Sequence, residues 1–334
     1  MISAWVVDHP KEKLVRQDIE LGPLGPEDVE IQVEHCGLCH SDLSIRNDEW
    51  GFSQFPAVLG HEAVGKIVAV GSAAKGLKVG QRAGIGWTAN SCMHCHQCLS
   101  GHQNLCLTAT PTIVGHSGCF ASRARAHWVW VIPLPEKIDA ANAGPLLCGG
   151  ITVFDPLAKF AKPTSRVGVV GIGGLGHMAV KFASAFGCDV TAFTSSERKF
   201  AEAREFGAHD VLTSHDTANI KKLANSLDLL LITANASLDW ESFLGTLAPE
   251  GRMHVVAAVP APIPVPVFPL ILGARSISGS PTGAPVAIAE MLEFAAEHAI
   301  SPTTEHFPMS QINEAFDRLE AGKAHYRIVL DADF

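Results

Sequence analysis

The sequence predicts an α/β protein of two domains, an irregular β barrel followed by a doubly wound parallel sheet. Three observations carry this. The chain has 334 residues, more than one hydrophobic core usually serves, since single cores stop growing at roughly 250–300 residues. Its texture changes near residue 150, from short alternating segments broken by Gly and Pro to a regular succession of apolar strands and helical patterns. A glycine-rich turn, Gly171-Ile172-Gly173-Gly174-Leu175-Gly176, joins an apolar strand to a helix inside the second part.

In the first part, residues 29–34 alternate apolar and polar side chains, as a half-buried strand does. Residues 63–71 form a second strand ending at glycine, and residues 78–86 a third after a turn. Trp128 and Trp130 alternate along a further strand and are assigned to packing. In the second part, strands are predicted at 167–170, 189–193, 211–212 and 227–232, with helices at 177–186, 197–206 and 220–224 between them. An amphipathic helix follows at 286–298 and a last strand at 326–330, and this C-terminal part is expected to return to the first domain. The expected division is 1–148 for the barrel, 149–285 for the parallel sheet and 286–334 for the return segment.

Hydrophobic residues are 47% and charged residues 18%, which excludes wholesale disorder. The net charge is −9 and no basic run of four occurs, which argues against nucleic acid or an anionic membrane as partner. The first ten residues have no basic head, unlike a secretory signal, and a cytoplasmic location is expected. Residues 255–274 are uncharged and long enough to suggest a membrane span. They carry Pro260, Pro262, Pro264, Pro266 and Pro269, so a buried extended segment is predicted instead.

Nine cysteines in a chain of this type point to metal before disulfides. Cys92-x2-Cys95-x2-Cys98-x7-Cys106 places four thiolates within fifteen residues, enough to close a tetrahedron around zinc with no open position. An iron–sulfur cluster also uses x2 spacings, but the x7 gap disfavours it. His94, His96 and His102 within the loop read as surface residues. Cys39, His61 and Cys148 together supply two thiolates and an imidazole, a ligand set for zinc with its fourth position open. Asp42 is placed to take the other ring N–H of His61, and Glu62 to stand behind the ligands or bind transiently. Spacing by itself leaves other readings: Cys36-x2-Cys39 also fits a thiol redox pair, and Cys148 a small buried apolar residue.

In the glycine turn, Gly171 makes the bend, Gly173 lets the backbone approach a pyrophosphate and Gly176 lets the helix pack on the strand, with Gly174 and Leu175 between them. The tip of the next strand lacks the acid that holds a ribose 2′-hydroxyl. Thr194, Ser195, Ser196, Arg198 and Lys199 stand there instead, around Glu197, and suit a 2′-phosphate, so NADP(H) is predicted. An ordinary serine-capped helix start with solvated charges is the structural alternative.

The stretch Cys36-Gly37-Leu38-Cys39-His40-Ser41-Asp42, the four-cysteine loop, residues 49–54 and 85–89, Gly144-Pro145-Leu146-Leu147-Cys148-Gly149-Gly150-Ile151-Thr152 and the glycine turn occur in this order along the whole chain. Together they resemble the zinc-dependent medium-chain alcohol dehydrogenases, in the cinnamyl-alcohol-dehydrogenase-like branch that includes bacterial NADPH-dependent aldehyde reductases. The resemblance implies a GroES-like catalytic domain and a Rossmann cofactor domain. It implies a catalytic zinc on Cys39, His61 and Cys148 with Glu62 close by, and a structural zinc on Cys92, Cys95, Cys98 and Cys106, two per chain. Ser41 corresponds to the hydroxyl that exchanges a proton with the substrate oxygen, and Thr152 to a residue against the nicotinamide. Thr194, Ser195, Ser196 and Lys199 correspond to the 2′-phosphate site, and His40 and Arg327 to pyrophosphate contacts. The implied reaction is reversible reduction of aldehydes to primary alcohols. Ser44 departs from the pattern, because many relatives carry a relay histidine there.

Trp50, Phe52 and Trp87 lie near the ligands in sequence and suit an apolar substrate pocket, or simple core packing. A homodimer is expected, paired through the edge of the cofactor-domain sheet near residues 259–272. The competing functions are a zinc-independent quinone or enoyl reductase and a non-catalytic NADPH sensor, and a count of two zincs per chain separates the dehydrogenase from both.

Overall fold

The computed structural model describes residues 1–259 and 261–334, so Pro260 of the proline-rich window lies outside the described residues. The chain divides into two compact units, Met1–Ile151 with Thr282–Phe334, and Thr152–Pro281.

In the first unit one strand organises the rest. Asp28–Leu38 pairs antiparallel with Ala63–Val70 on one side and Arg327–Asp331 on the other, and also with Arg123–His127. The sheet continues through Arg82–Ile85 to Val131–Pro133 at one edge and to Thr304–Pro308 at the other. Ile31, Val33, Cys36 and Leu38 are all buried, as are Val64, Ile67, Ile85 and Val329 on its neighbours. Register slips between Glu30 and Ile31 and between Val33 and His35 bend the strand out of a flat ladder. The C-terminal strand faces its end, with Leu330 opposite Cys36 and Ile328 opposite Leu38. A segment nearly 300 residues away therefore braces the chain just before Cys39.

The second unit holds a parallel sheet in the order Asp210–Thr213, Asp189–Thr194, Arg166–Val170, Leu227–Ile232, Leu247–Val255, Ser276–Gly279. In chain order that is 3-2-1-4-5-6, the dinucleotide-binding arrangement. Near-continuous apolar strands such as Leu227–Ile232 are what a sheet covered on both faces needs. Phe193 and Phe243 meet edge to face at 5.2 Å within a core that also contains Val170, Leu230, Ile232 and Met253.

Two sequence readings are corrected. The proline-rich window is not extended throughout: Val267–Gly273 is a helix, and Val267, Phe268, Ile271 and Leu272 are largely exposed. Pro266 is its N-cap residue and Pro269 lies in its first turn, where amides have no intrahelical acceptor and a missing donor costs little. Trp128–Trp130 is a tight 3-10 turn rather than strand, because His127 Nδ1 accepts the Val129 amide at 3.2 Å and closes the bend. Trp130 is buried, donating to Ser91 Oγ at 3.1 Å.

His254 fastens the last two strands of the parallel sheet, with Nδ1 2.9 Å from Ser278 Oγ and Nε2 2.9 Å from Ser280 Oγ. Burial, helped by Arg252, pushes its pKa down to about 4. A histidine whose folded pKa is depressed contributes stability above its unfolded pKa, lost as pH falls toward the folded value. Thermal unfolding is expected to shift down by a few degrees between pH 6.5 and about 4. His254→Gln should flatten that part of the profile; identical pH slopes for both proteins would refute the assignment.

Candidate active site

Cys39 follows the strand Asp28–Leu38 of the first unit and sits as N-cap residue of the helix His40–Arg46. The third residue of that helix, Asp42, is fully buried, and its carboxylate accepts three bonds. Oδ2 takes the Cys39 amide at 2.9 Å, while Oδ1 takes the Gly60 amide at 2.9 Å and His61 Nδ1 at 3.0 Å. One carboxylate thus fixes the backbone at Cys39, the turn before His61 and the tautomer of the His61 ring, leaving Nε2 as its donor atom. Burial opposes charge on His61, but Asp42 outweighs it and holds the imidazole pKa well above its ordinary value.

Cys148 follows the 3-10 turn Gly144–Leu147. Its Sγ lies 3.3 Å from His61 Nε2 and 4.0 Å from Cys39 Sγ. Cys39 is held well below the ordinary thiol range, first by the Cys148 thiol beside it and then by Arg327. The donor atoms of Cys39, His61, Glu62 and Cys148 all lie within 4.8 Å of one another, and all four residues are buried. Zinc–sulfur and zinc–nitrogen bonds of about 2.3 and 2.0 Å imply tetrahedral edges of roughly 3.5–3.8 Å, so the set fits one zinc ion.

Glu62 and Arg327 complete the floor. Glu62 Oε1 accepts from Arg327 Nη2, while Oε2 is buried with no hydrogen-bond partner among the described residues. An orphaned buried carboxylate oxygen beside two sulfurs and an imidazole is what a dication would satisfy. Burial disfavours the Arg327 charge, and Glu62 outweighs that, keeping the guanidinium protonated. Arg327 Nη1 also lies 3.9 Å from Cys39 Sγ. Arg327, for which the resemblance implies a pyrophosphate contact, is buried here beside Glu62 and Cys39.

Around this floor, Ser41 Oγ lies 3.7 Å from Cys39 Sγ, and His40 is exposed at the helix start. Ser44 is buried and donates to Glu49 Oε2 at 2.7 Å, a bond that lowers the Glu49 pKa. Trp87 meets the His61 ring edge to face at 5.1 Å, Trp50 meets Trp87 at 6.3 Å and Phe52 stacks on Trp50 at 5.7 Å. The three aromatic residues named from the sequence form one wall running from the imidazole outward to Phe52, which is half exposed. Thr152 is buried within the helix Gly149–Phe160.

The four sulfurs of Cys92, Cys95, Cys98 and Cys106 also lie within 4.8 Å of one another, with Cys92 and Cys98 Sγ 3.9 Å apart. Two sulfurs accept backbone amides, Cys92 from Cys95 at 3.3 Å and Cys95 from Cys98 at 3.5 Å. Such bonds favour thiolate, and Cys106 is drawn down to about 6 by the backbone at Cys92. Burial raises Cys98 to about 11. His94, His96 and His102 are exposed and outside the cluster.

In the second unit the glycine turn takes the predicted shape. Gly171 has φ +95°, and a Cβ on Gly176 would come 1.8 Å from the Gly171 carbonyl oxygen, so only glycine allows the helix Gly176–Ala185 to start there. A Cβ on Gly173 would meet nothing within 4 Å, leaving that face of the turn open. Gly174 and Leu175 are half-buried. At the end of the next strand Thr194 is buried and its Oγ1 accepts the Ser196 amide at 3.3 Å, while Ser195 is exposed and Ser196 half-buried. Lys199 Nζ donates to the Ile172 carbonyl at 2.8 Å.

Comparison with known proteins places these features in a family. Residues 25–136 match the alcohol dehydrogenase GroES-like domain and residues 174–297 the zinc-binding dehydrogenase domain. The chain is 51% identical over 331 residues to aldehyde reductase AdhA of Synechocystis sp., covering 99% of this chain and 98% of that protein. Cinnamyl alcohol dehydrogenase SbCAD4 from Sorghum bicolor superposes with a TM-score of 0.95 at 36% identity, covering 99% of this chain and 97% of that one. The cinnamyl alcohol dehydrogenase of Helicobacter pylori, solved with NADP(H), gives 0.90 at 31% identity, with 99% and 97% covered. With both domain models matched in order and a relative of this identity spanning the whole length, the chain belongs to the zinc-dependent medium-chain alcohol dehydrogenases.

Proposed function

We propose that the protein reduces aliphatic or aromatic aldehydes to primary alcohols, reversibly, with NADPH as the hydride donor and zinc held by Cys39, His61 and Cys148. The observation that carries this is the buried meeting of Cys39, His61, Glu62 and Cys148 donor atoms, beside an aromatic wall formed by Trp87, Trp50 and Phe52. Bound zinc supplies Lewis acidity toward the carbonyl and the reduced nicotinamide supplies hydride.

The chain's own residues do the rest. Asp42 holds His61 in one orientation, and Cys39 and Cys148 bring negative charge that offsets the dication. Arg327 shares that charge from below through Glu62 and Cys39. Ser41 holds and returns a proton to the substrate oxygen. Trp50, Phe52 and Trp87 exclude water and favour apolar aldehydes. A second zinc on Cys92, Cys95, Cys98 and Cys106 serves structure only, since four protein ligands leave it no open position.

NADP(H) is assigned because no acid stands at the tip of strand Asp189–Thr194 and Ser195, Ser196 and Lys199 follow it, and because a related enzyme was solved with NADP(H). Gly171, Gly173, Gly174, Leu175 and Gly176 form the pyrophosphate turn in this proposal, which keeps for Thr152, His40 and Arg327 the coenzyme contacts that the resemblance implies. The test pairs a coenzyme comparison on an aldehyde panel with metal analysis. A kcat/KM at least tenfold higher with NADPH than with NADH is expected, together with two zincs per chain. A preference for NADH would overturn the coenzyme assignment; one zinc or none in active protein would overturn the metal assignment.

A homodimer is part of the proposal. Edge strand Ser276–Gly279 and the helix Val267–Gly273, with its exposed Val267, Phe268, Ile271 and Leu272, support pairing there. A cytoplasmic location is part of the proposal as well; among the described residues none of the nine cysteines is in a disulfide, which is in keeping with it.

A further inference from the structure

The glycine turn is fastened from outside itself. Three successive carbonyls accept from side chains: Gly171 from Thr233 Oγ1 at 2.6 Å, Ile172 from Lys199 Nζ at 2.8 Å, and Gly173 from His177 Nδ1 at 3.0 Å. Thr233 also reaches the Val170 carbonyl at 3.0 Å, tying the turn to the strand that feeds it. The three side chains come from different places: the end of strand Leu227–Ile232, the 3-10 turn Glu197–Lys199, and the first turn of helix Gly176–Ala185. In a trans peptide the C=O of one residue and the N–H of the next point in opposite directions. Holding these three carbonyls therefore directs the amides of Ile172, Gly173 and Gly174 the other way. Among the described residues those three amides donate to no carbonyl or side chain.

We propose that Thr233, His177 and Lys199 are positioning residues which, by holding the carbonyls of Gly171, Ile172 and Gly173, keep three amides aimed for the coenzyme pyrophosphate. The inference rests on the NADP(H) reading above. A glycine-rich turn left alone samples many conformations, and each must be given up when an anion binds. Side-chain anchors remove that cost beforehand, and the gain appears as coenzyme affinity. Thr233 and His177 act on the pyrophosphate end alone, so they serve NADPH and NADH equally. Lys199 acts on the turn and also stands among the residues assigned to the 2′-phosphate, so its loss falls unequally on the two coenzymes.

The experiment measures Kd for NADPH and for NADH by nicotinamide fluorescence titration, with zinc content and thermal midpoint recorded for each variant of the zinc-loaded enzyme. Thr233→Val, which removes the hydroxyl at nearly constant shape, is expected to raise both Kd values by the same factor, about tenfold, and Thr233→Ser to restore them. His177→Leu is expected to raise both, and His177→Asn, whose amide nitrogen can replace Nδ1, to recover most of the loss. Lys199→Met is expected to weaken NADPH several-fold more than NADH. Unchanged Kd values in Thr233→Val, a loss confined to NADPH, or a loss that Thr233→Ser does not restore would each overturn the inference. If Thr233→Val does not fold, the His177 pair decides it by the same criteria. A wild-type chain that binds neither coenzyme overturns the NADP(H) reading and this inference with it; wild-type binding with unaffected variants overturns this inference alone.

Discussion

Cys39→Ser and His61→Ala are expected to lower kcat/KM for aldehyde reduction by about 10³-fold or more, while the Kd for NADPH stays within about twofold. The size of the effect follows from the geometry. His61 Nε2, Cys39 Sγ and Cys148 Sγ enclose one point, and removing any of them leaves two protein ligands and the Glu62 carboxylate to hold the ion. The Cys148 thiol and Arg327 also hold the Cys39 thiol below its ordinary pKa, which favours the thiolate form that a metal binds. Asp42→Asn is a graded companion. It keeps the shape but cannot accept from Cys39, Gly60 and His61 together, as the carboxylate does. A loss of about 10–100-fold, with partial loss of one zinc, is expected for it. Near-normal turnover in Cys39→Ser or His61→Ala, measured on protein of known metal content, would remove the basis for the assigned centre.

The second large effect is on stability. Cys98→Ser is expected to release one of two zincs and to lower the thermal midpoint by about 10 °C or more, because metal binding at such sites is folding free energy. The loop has little else to hold it. Among the elements between Cys92 and Cys106 are one helix of four residues, His96–Leu99, and a 3-10 turn, Gln103–Leu105. Leu99, Leu105 and Leu107 are exposed rather than packed into a core. Turnover per remaining catalytic zinc at low temperature should stay within a few-fold of wild type, since this tetrad has no open position. An unchanged midpoint in a variant that has lost the metal would show that the loop holds itself.

Much of this was legible in advance, for identifiable reasons. The parallel sheet declares itself because each of its strands is a local apolar run and each helix a local periodic pattern, and Leu227–Ile232 is read directly from six residues. The glycine turn is legible because steric demand at Gly171 and Gly176 admits one residue type. The helix in the proline-rich window is not legible in composition because the effect of proline depends on position; at the start of Val267–Gly273 it breaks nothing. The Trp128–Trp130 turn is not legible in the sequence because its cause is a side-chain bond to His127, which alternation cannot display.

What the sequence determined by itself is the inventory of donors and the local frames that carry them: four cysteines close enough along the chain to share a metal, and a glycine turn between a strand and a helix. Short separations leave little conformational freedom, so residue type and spacing suffice. Tertiary structure alone decided which distant groups meet. Cys39 and Cys148 are 109 residues apart, and Arg327 is 288 residues from Cys39. Thr233 reaches the turn across 62 residues. No periodicity encodes such meetings. They arise because strand Arg327–Asp331 pairs against Asp28–Leu38 and strand Leu227–Ile232 lies beside Arg166–Val170, and burying those apolar strands carries the polar groups at their ends into contact.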